Sequence, residues 1–103
     1  MSPDLPPSIR RLIEYGIKTV EPDRVILFGS RARGDAREDS DYDLAFDFPS
    51  DRLLYWLRFV TSADDLPITL RPVGLASWSE SSPEQQESIL RDGIILYERS
   101  THY

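Results

Sequence analysis

The chain has 103 residues and carries 12 Lys and Arg against 18 Asp and Glu, a net charge of −6 at pH 7. This length predicts one domain, residues 1–103. The absence of cysteine excludes disulfides and thiolate metal sites, and a single histidine, His102, excludes a histidine-based metal site. The acidic balance argues against direct nucleic-acid binding, which needs a basic surface, but it is compatible with a nucleotide whose charge a metal ion neutralises.

The N-terminal residues do not resemble a signal peptide, because Asp4 and three prolines interrupt any apolar run. No stretch approaches the roughly 20 apolar residues that a membrane span needs. We therefore expect a cytoplasmic protein without membrane association.

The first half of the chain predicts one helix and two strands. Apolar residues recur every three or four positions over 8–20, which indicates an amphipathic helix with Ser8 as N-cap. Residues 24–28 are β-branched and apolar, as in a buried strand. The polar segment 30–40 is either a loop or a short helix followed by a loop. Residues 41–48 alternate between polar and apolar, which predicts a strand exposed on one face.

The second half predicts two more helices and two more strands. A second long helix has its apolar side at Leu53, Leu54, Leu57 and Val60, together with Trp56. Residues 66–75 form a third extended stretch, with two prolines that favour an edge or a bulge.

Ser82, Pro83 and Gln85 predict the capped start of a helix that ends near Asp92, with Gly93 as its stop. Residues 94–97 form a final short strand. The order of elements predicts an α/β (α+β) fold, a single domain with a mixed sheet flanked by helices.

Residues 25–44 carry the chemistry. A buried strand ends at Gly29-Ser30, where a glycine lets a phosphate approach the backbone and N–H and hydroxyl groups donate to it. Ten residues later, Asp41 and Asp43 lie at i and i+2 of a strand, so both carboxylates point to one face. Paired carboxylates suit Mg²⁺, which binds one or two of them together with substrate phosphates. The segment therefore predicts a site for a nucleoside triphosphate and Mg²⁺.

The same run, Gly29-Ser30 followed after ten residues by Asp41-Tyr42-Asp43, resembles the signature of the polymerase-β-like nucleotidyltransferase superfamily. Its Gly-Ser-Arg-Ala-Arg-Gly-Asp-Ala-Arg form and the chain length are similar to those of the minimal nucleotidyltransferases, which are commonly encoded with a toxin and act as its antitoxin. The resemblance covers nearly the whole chain. It implies a HEPN-type helical ribonuclease toxin as partner, and in some members transfer of AMP from ATP to a tyrosine of that toxin.

Carried over by position, the resemblance implies that Gly29 and Ser30 hold the triphosphate and that Asp41 and Asp43 ligate Mg²⁺ and act in catalysis. Arg31 and Arg33 are further candidates for nucleotide binding, and pairing with the acids of their own charged turn is the alternative. Tyr42 points to the opposite face of the strand, so it is expected in the core.

The family has a third carboxylate on the following strand, where it completes a second metal site and helps to deprotonate the attacking hydroxyl. The best register places Gly74 at that position, and shifted registers place Arg71 or Thr69 there instead. None of these is an acid. The acids that lie near enough in sequence to be considered as replacements are Asp47, Asp64, Asp65 and Glu80.

Two functions follow from the sequence. One is an antitoxin that uses Mg²⁺ and ATP to transfer AMP to its toxin. The other is a catalytically impaired binding module that neutralises the toxin by contact, for which the missing third carboxylate and the acidic surface argue.

Overall fold

The computed structural model describes residues 5–38, 40–65 and 73–99, with the backbone only at residues 64 and 65. Its elements in chain order are α1 (Pro7–Val20), β1 (Arg24–Phe28), α2 (Ser30–Arg33), β2 (Tyr42–Asp47), α3 (Leu53–Asp65), β3 (Val73–Ser77), α4 (Pro83–Asp92) and β4 (Ile94–Glu98). One-turn 3₁₀ helices precede α3 and follow β3. The predicted alternation of helices and strands is confirmed, and the segment after β1 is a short helix followed by a loop.

Four strands form one mixed sheet in the order β3-β2-β1-β4. β1 pairs antiparallel with both β2 and β4, whereas β2 and β3 are parallel. Helices cover both faces: α1 and α3 pack on one face around Phe46 and Phe59, and α4 packs on the other through Ile89. The predicted α/β (α+β) architecture is therefore confirmed. Within the described residues, none of the helices combines the length and the apolar run needed to cross a membrane.

The start of α1 differs from the prediction. The helix begins at Pro7 with Pro6 as N-cap, so Ser8 is inside the first turn and is not the cap. Pro7 is suited to this place because its fixed φ matches the helix and its missing N–H would have no helical acceptor there. At α4 the predicted Ser82 cap is confirmed, since its Oγ accepts a hydrogen bond from the Gln85 N–H at 3.1 Å. Gly93 follows Asp92 as predicted and has an extended backbone.

The buried side of α3 also differs from the prediction. Among the described side chains of this helix, Trp56 is buried as predicted and Phe59 is buried beside it, and both rings lie 5.3 Å from the Phe46 ring. Leu54 and Leu57 are instead exposed at 71% and 51%. The leucine stripe and the aromatic stripe both have helical spacing, and the aromatic one is buried because its rings complete the cluster on β2. Residues 66–72 of the predicted third strand lie outside the described residues.

Candidate nucleotide and metal site

The turn between β1 and α2 depends on Gly29. Its backbone has φ 75° and ψ −156°, a conformation that is essentially restricted to glycine. A Cβ at this position would also collide with Oδ2 of Asp43. Glycine is therefore required at position 29 for two reasons: other residues do not adopt this backbone conformation, and a side chain would collide with the Asp43 carboxylate.

The first turn of α2 offers hydrogen-bond donors. The Gly29 carbonyl accepts from the N–H groups of Ala32 and Arg33, both at 3.1 Å, which orders the turn. Within the described part of the chain, the N–H and Oγ of Ser30 make no hydrogen bond. Helices begin with N–H groups that have no helical acceptor, and phosphate oxygens are common partners for them. Gly29 and Ser30 thus lie where the sequence predicted a phosphate-binding turn.

The two aspartates lie at the start of β2, which pairs with β3 on one side and with β1 on the other. Asp41 is exposed and directly precedes the strand, whereas Asp43 is half-buried within it, opposite Phe28 of β1. Tyr42 between them is 6% exposed and packs in the core, as predicted. Neither carboxylate makes a hydrogen bond or an ion pair with the described residues.

Burial raises the pKa of the Asp43 carboxyl above its ordinary value, the nearby charge of Asp41 raises it further, and the Arg33 guanidinium opposes both. An unpartnered carboxylate pair of this kind is stabilised by a cation that both groups contact. The pair therefore fits one Mg²⁺, which takes one or two protein carboxylates plus phosphate oxygens.

Gly74 lies directly beside this pair. In the parallel register of β2 and β3 it is the partner of Asp43, and a Cβ at Gly74 would be 2.7 Å from Oδ1 of Asp43. A side chain at position 74 would therefore point into the carboxylate site, and this chain has none. Arg71 and Thr69 lie outside the described residues. In the described residues there is no group of three or more acidic, histidine or cysteine side chains that could hold a metal.

The acids considered as replacements do not reach the site where their side chains are described. Asp47 forms an ion pair with Arg24 at 3.0 Å, at the opposite end of β2 from Asp43. Glu80 is exposed and follows β3 beyond its last residue, Ser77, which pairs with Phe46. The side chains of Asp64 and Asp65 are outside the described residues. Among the described side chains, the donor set fits one divalent cation and includes no third carboxylate of the kind that a two-cation site requires.

The two candidate arginines have different surroundings. Arg33 is exposed and makes a 3.4 Å ion pair with Asp35, as the alternative of a self-paired charged turn predicted. Arg31 donates to the carbonyl oxygens of Glu38 and Ser40. Sequence reasoning missed these contacts to the main chain, because no local pattern tells which carbonyl a guanidinium will reach across a loop.

Comparisons with known proteins agree with the fold. The family model of "Polymerase beta, Nucleotidyltransferase" matches residues 10–102. Among similar solved structures, a protein assigned as a minimal nucleotidyltransferase is 33% identical, with a TM-score of 0.61 over 84% of this chain and 91% of that chain. No curated protein matches the chain significantly.

Two further structures show the same fold at lower identity. A toxin–antitoxin structure with AMP-PNP is 22% identical, with a TM-score of 0.57 over 89% of this chain and 72% of that chain. A protein from Sulfolobus solfataricus assigned as a nucleotidyltransferase is 20% identical, with a TM-score of 0.58 over 89% of this chain and 78% of that chain. The family model matches residues 10–102, and this chain therefore belongs to the polymerase-β-like nucleotidyltransferase family.

Proposed function

We propose that this chain is a cytoplasmic antitoxin, a single minimal nucleotidyltransferase domain over residues 1–103, that neutralises a HEPN-type helical ribonuclease toxin by contact. It retains binding of ATP with Mg²⁺ and transfers AMP slowly if at all. The observation that carries the proposal is Gly74, which occupies the place beside Asp43 where a third carboxylate would complete the catalytic site. The similarity to a toxin–antitoxin structure with AMP-PNP supports the partner class and the nucleotide.

Nucleotide binding rests on groups that are still present. Gly29 and Ser30 supply the phosphate turn, Asp41 and Asp43 would hold Mg²⁺, and the exposed Arg33 is close enough to Asp43 to influence its charge. The metal would neutralise phosphate charge together with the Arg33 guanidinium. These residues bind and orient a triphosphate without any need for a third acid.

Transfer of AMP needs more than binding, because the attacking hydroxyl must lose its proton. General base catalysis is typically worth about 10²- to 10⁴-fold in rate. Glycine cannot act as a base, and the nearest described acid on β2 other than the pair, Asp47, is held by Arg24. AMP transfer to the toxin is therefore the second candidate, and what favours it is the retained pair of Asp41 and Asp43.

Neutralisation by contact requires a surface, and α3 offers one. Leu54 and Leu57 are exposed beside an open groove between α1 and α3 of about 520 Å³, whose lining includes Tyr15 and Thr19. Leu54 and Leu57 are three residues apart on one helix and both line the groove, so they are surface neighbours, and contiguous exposed apolar surface is typical of protein interaction sites. This face is on the side of the sheet opposite α4.

The two modes are separated by incubating the chain with the proposed partner, a helical HEPN-type protein, together with ATP labelled at the α-phosphate and Mg²⁺. We expect a stable complex, Mg²⁺–ATP binding in calorimetry, and little or no label on the partner. Efficient labelling that disappears with Asp41→Asn and Asp43→Asn would establish AMP transfer and overturn neutralisation by contact alone. Failure to form a complex would overturn the antitoxin assignment, and failure to bind Mg²⁺–ATP would overturn the retained nucleotide site.

A further inference from the structure

The Arg31 guanidinium is engaged by the chain itself. Its Nη2 donates to the Glu38 carbonyl at 3.0 Å and to the Ser40 carbonyl at 3.1 Å, and its Nε lies 3.4 Å from the same Ser40 oxygen. The guanidinium carbon lies 4.4 Å from the centroid of the Tyr42 ring, which places the charge over an aromatic face. A planar fork with five donors can make all these contacts at once, whereas a lysine cannot.

These contacts connect the two halves of the site. Arg31 belongs to α2, which begins directly after Gly29, whereas Ser40 immediately precedes Asp41 and Tyr42 separates the two aspartates. The carbonyl of Ser40 belongs to the peptide that contains the Asp41 nitrogen, so the hydrogen bonds restrain the backbone from which the Asp41 carboxylate extends. The loop is also closed locally, since the Ser40 N–H donates to the Arg37 carbonyl at 3.0 Å.

Arg33 provides a contrast two residues along the same short helix. It is exposed, and its ion pair with Asp35 is long, at 3.4 Å. Its charge lowers the pKa of Asp43, whereas burial, the larger effect, raises that pKa. Its guanidinium can turn to a phosphate without giving up contacts that shape the site. Arg31 could do so only by releasing the Glu38 and Ser40 carbonyls.

We propose that Arg31 is a positioning residue for the divalent cation: it fixes the loop before Asp41 and thereby the placement of the Asp41 carboxylate relative to Asp43. The proposal deepens the proposed function and rests on it, since it concerns the same cation site. It assigns Arg31 to the cation and leaves Arg33 as the arginine available to the nucleotide phosphates.

The test measures Mn²⁺ binding to the full chain without nucleotide, from the electron paramagnetic resonance signal of free Mn²⁺. We expect Arg31→Ala to raise the Mn²⁺ dissociation constant by about 10- to 100-fold, the usual loss when a group that orients a metal ligand is removed. Arg31→Lys should lose nearly as much, because an ammonium keeps the charge but not the forked hydrogen bonds. Arg37→Ala is the matched control, because Arg37 is an exposed arginine near the same loop whose hydrogen bonds to Ser40 come from its main chain, and it should bind Mn²⁺ as the parent does.

Hydrogen exchange supplies a readout of the loop that does not depend on metal. The Ser40 amide should exchange faster in Arg31→Ala and Arg31→Lys, and circular dichroism at the same temperature verifies that the variants are folded.

Binding of ATP in the presence of a chelator should weaken in Arg33→Ala and be retained in Arg31→Ala.

The outcomes separate this proposal from the proposed function. If the parent chain binds Mn²⁺ and both Arg31 variants bind it equally well, the positioning role is refuted while the cation site stands. If Arg31→Ala weakens the binding of ATP measured in the presence of a chelator and leaves the Mn²⁺ affinity intact, Arg31 is a phosphate ligand and the proposal is wrong. If the parent chain itself binds no Mn²⁺, the cation site of the proposed function fails and this proposal fails with it.

Discussion

Introducing a carboxylate at position 74 tests the site most directly. Gly74 is the β3 partner of Asp43, and its missing Cβ would lie 2.7 Å from Oδ1 of that residue. Gly74→Asp therefore places a third acid against the existing pair. Without a divalent cation we expect the variant to be less stable than the parent, because three carboxylates would share one end of the sheet.

The size of the effect follows from Coulomb's law. Two unit charges about 4 Å apart repel by about 1 kcal/mol in bulk water and about 4 kcal/mol at an effective dielectric of 20. The half-buried Asp43 lies between these limits, so we expect Gly74→Asp to lose about 1–4 kcal/mol of folding free energy when metal is chelated. A cation bound only by the folded state adds about 2.7 kcal/mol at 100 times its dissociation constant, so Mg²⁺ should offset much or all of the loss.

The assay is urea unfolding of the parent, Gly74→Asp and Gly74→Asn, each with a chelator and with saturating Mg²⁺. Asparagine has nearly the size of aspartate but no charge, so the difference between the two variants isolates the electrostatic part from the steric contact with Asp43. AMP transfer to the toxin is measured in parallel. We expect it to rise in Gly74→Asp and not in Gly74→Asn, by up to about 10²- to 10⁴-fold if the new acid acts as a base.

Equal stability of Gly74→Asp and Gly74→Asn in the chelator would refute the placement of residue 74 beside the pair. A loss specific to aspartate that Mg²⁺ does not reverse would confirm the placement and refute the cation site. Both results are independent of whether transfer is recovered.

Three further substitutions test the site and the contact surface. Because the pKa of Asp43 is raised in the folded state, the folded chain holds more protons than the unfolded chain between about pH 4 and that raised pKa, so its stability falls as pH rises through this window. In the chelator, Asp43→Asn should remove this dependence and be more stable than the parent at pH 7, as measured by urea unfolding at several pH values. Gly29→Ala should lower the melting temperature far more than Gly34→Ala, because Gly29 has a backbone conformation nearly restricted to glycine and its Cβ would meet Asp43, whereas Gly34 is in the αL region with open space around it; equal losses would contradict the special backbone and close approach at Gly29. Leu57→Glu should weaken the toxin complex by about tenfold or more, a cost of about 1.4 kcal/mol, with folding stability nearly unchanged. Leu90→Glu, at a similarly exposed leucine on α4, should leave the complex intact in the same titration.

The local parts of the fold could be predicted from the sequence because local rules determine them. The β1 strand has the predicted limits, and the Ser82 cap is made by the residue that the capping rule selects. The exposed side of α3 could not be predicted in the same way. Its leucine and aromatic stripes are both apolar at helical spacing, and only packing against Phe46 of a different element decides which one is buried.

In the candidate site, too, the local features could be predicted from the sequence and the contacts between distant segments could not. The spacing of Gly29, Ser30, Asp41 and Asp43 predicts a metal and nucleotide site, and the structure brings Gly29 and the Asp43 carboxylate side by side. The contacts of Arg31 depend on where the chain places the Glu38 and Ser40 carbonyls, which no periodicity encodes. The sequence leaves the third-acid position open among Gly74, Arg71 and Thr69, because two prolines interrupt this stretch. The parallel pairing of β2 with β3 places Gly74 opposite Asp43.

The Asp43 carboxylate lies between Gly29 and Gly74, and this arrangement limits how an acid could fit at position 74. A Cβ at Gly29 would meet its Oδ2, and a Cβ at Gly74 would meet its Oδ1, so each oxygen occupies space that a side chain on the neighbouring element would need. The glycine at 29 belongs to the motif, whereas the glycine at 74 both removes a ligand and gives the Asp43 carboxylate room to turn toward β3. An aspartate at 74 must therefore displace that carboxylate before three acids can share a cation, and the attraction of the cation has to supply the energy. Under the proposed function, Asp41 and Asp43 would still hold one Mg²⁺ with a nucleotide in the absence of a third acid. We therefore expect recovery of transfer by Gly74→Asp to depend on the Mg²⁺ concentration.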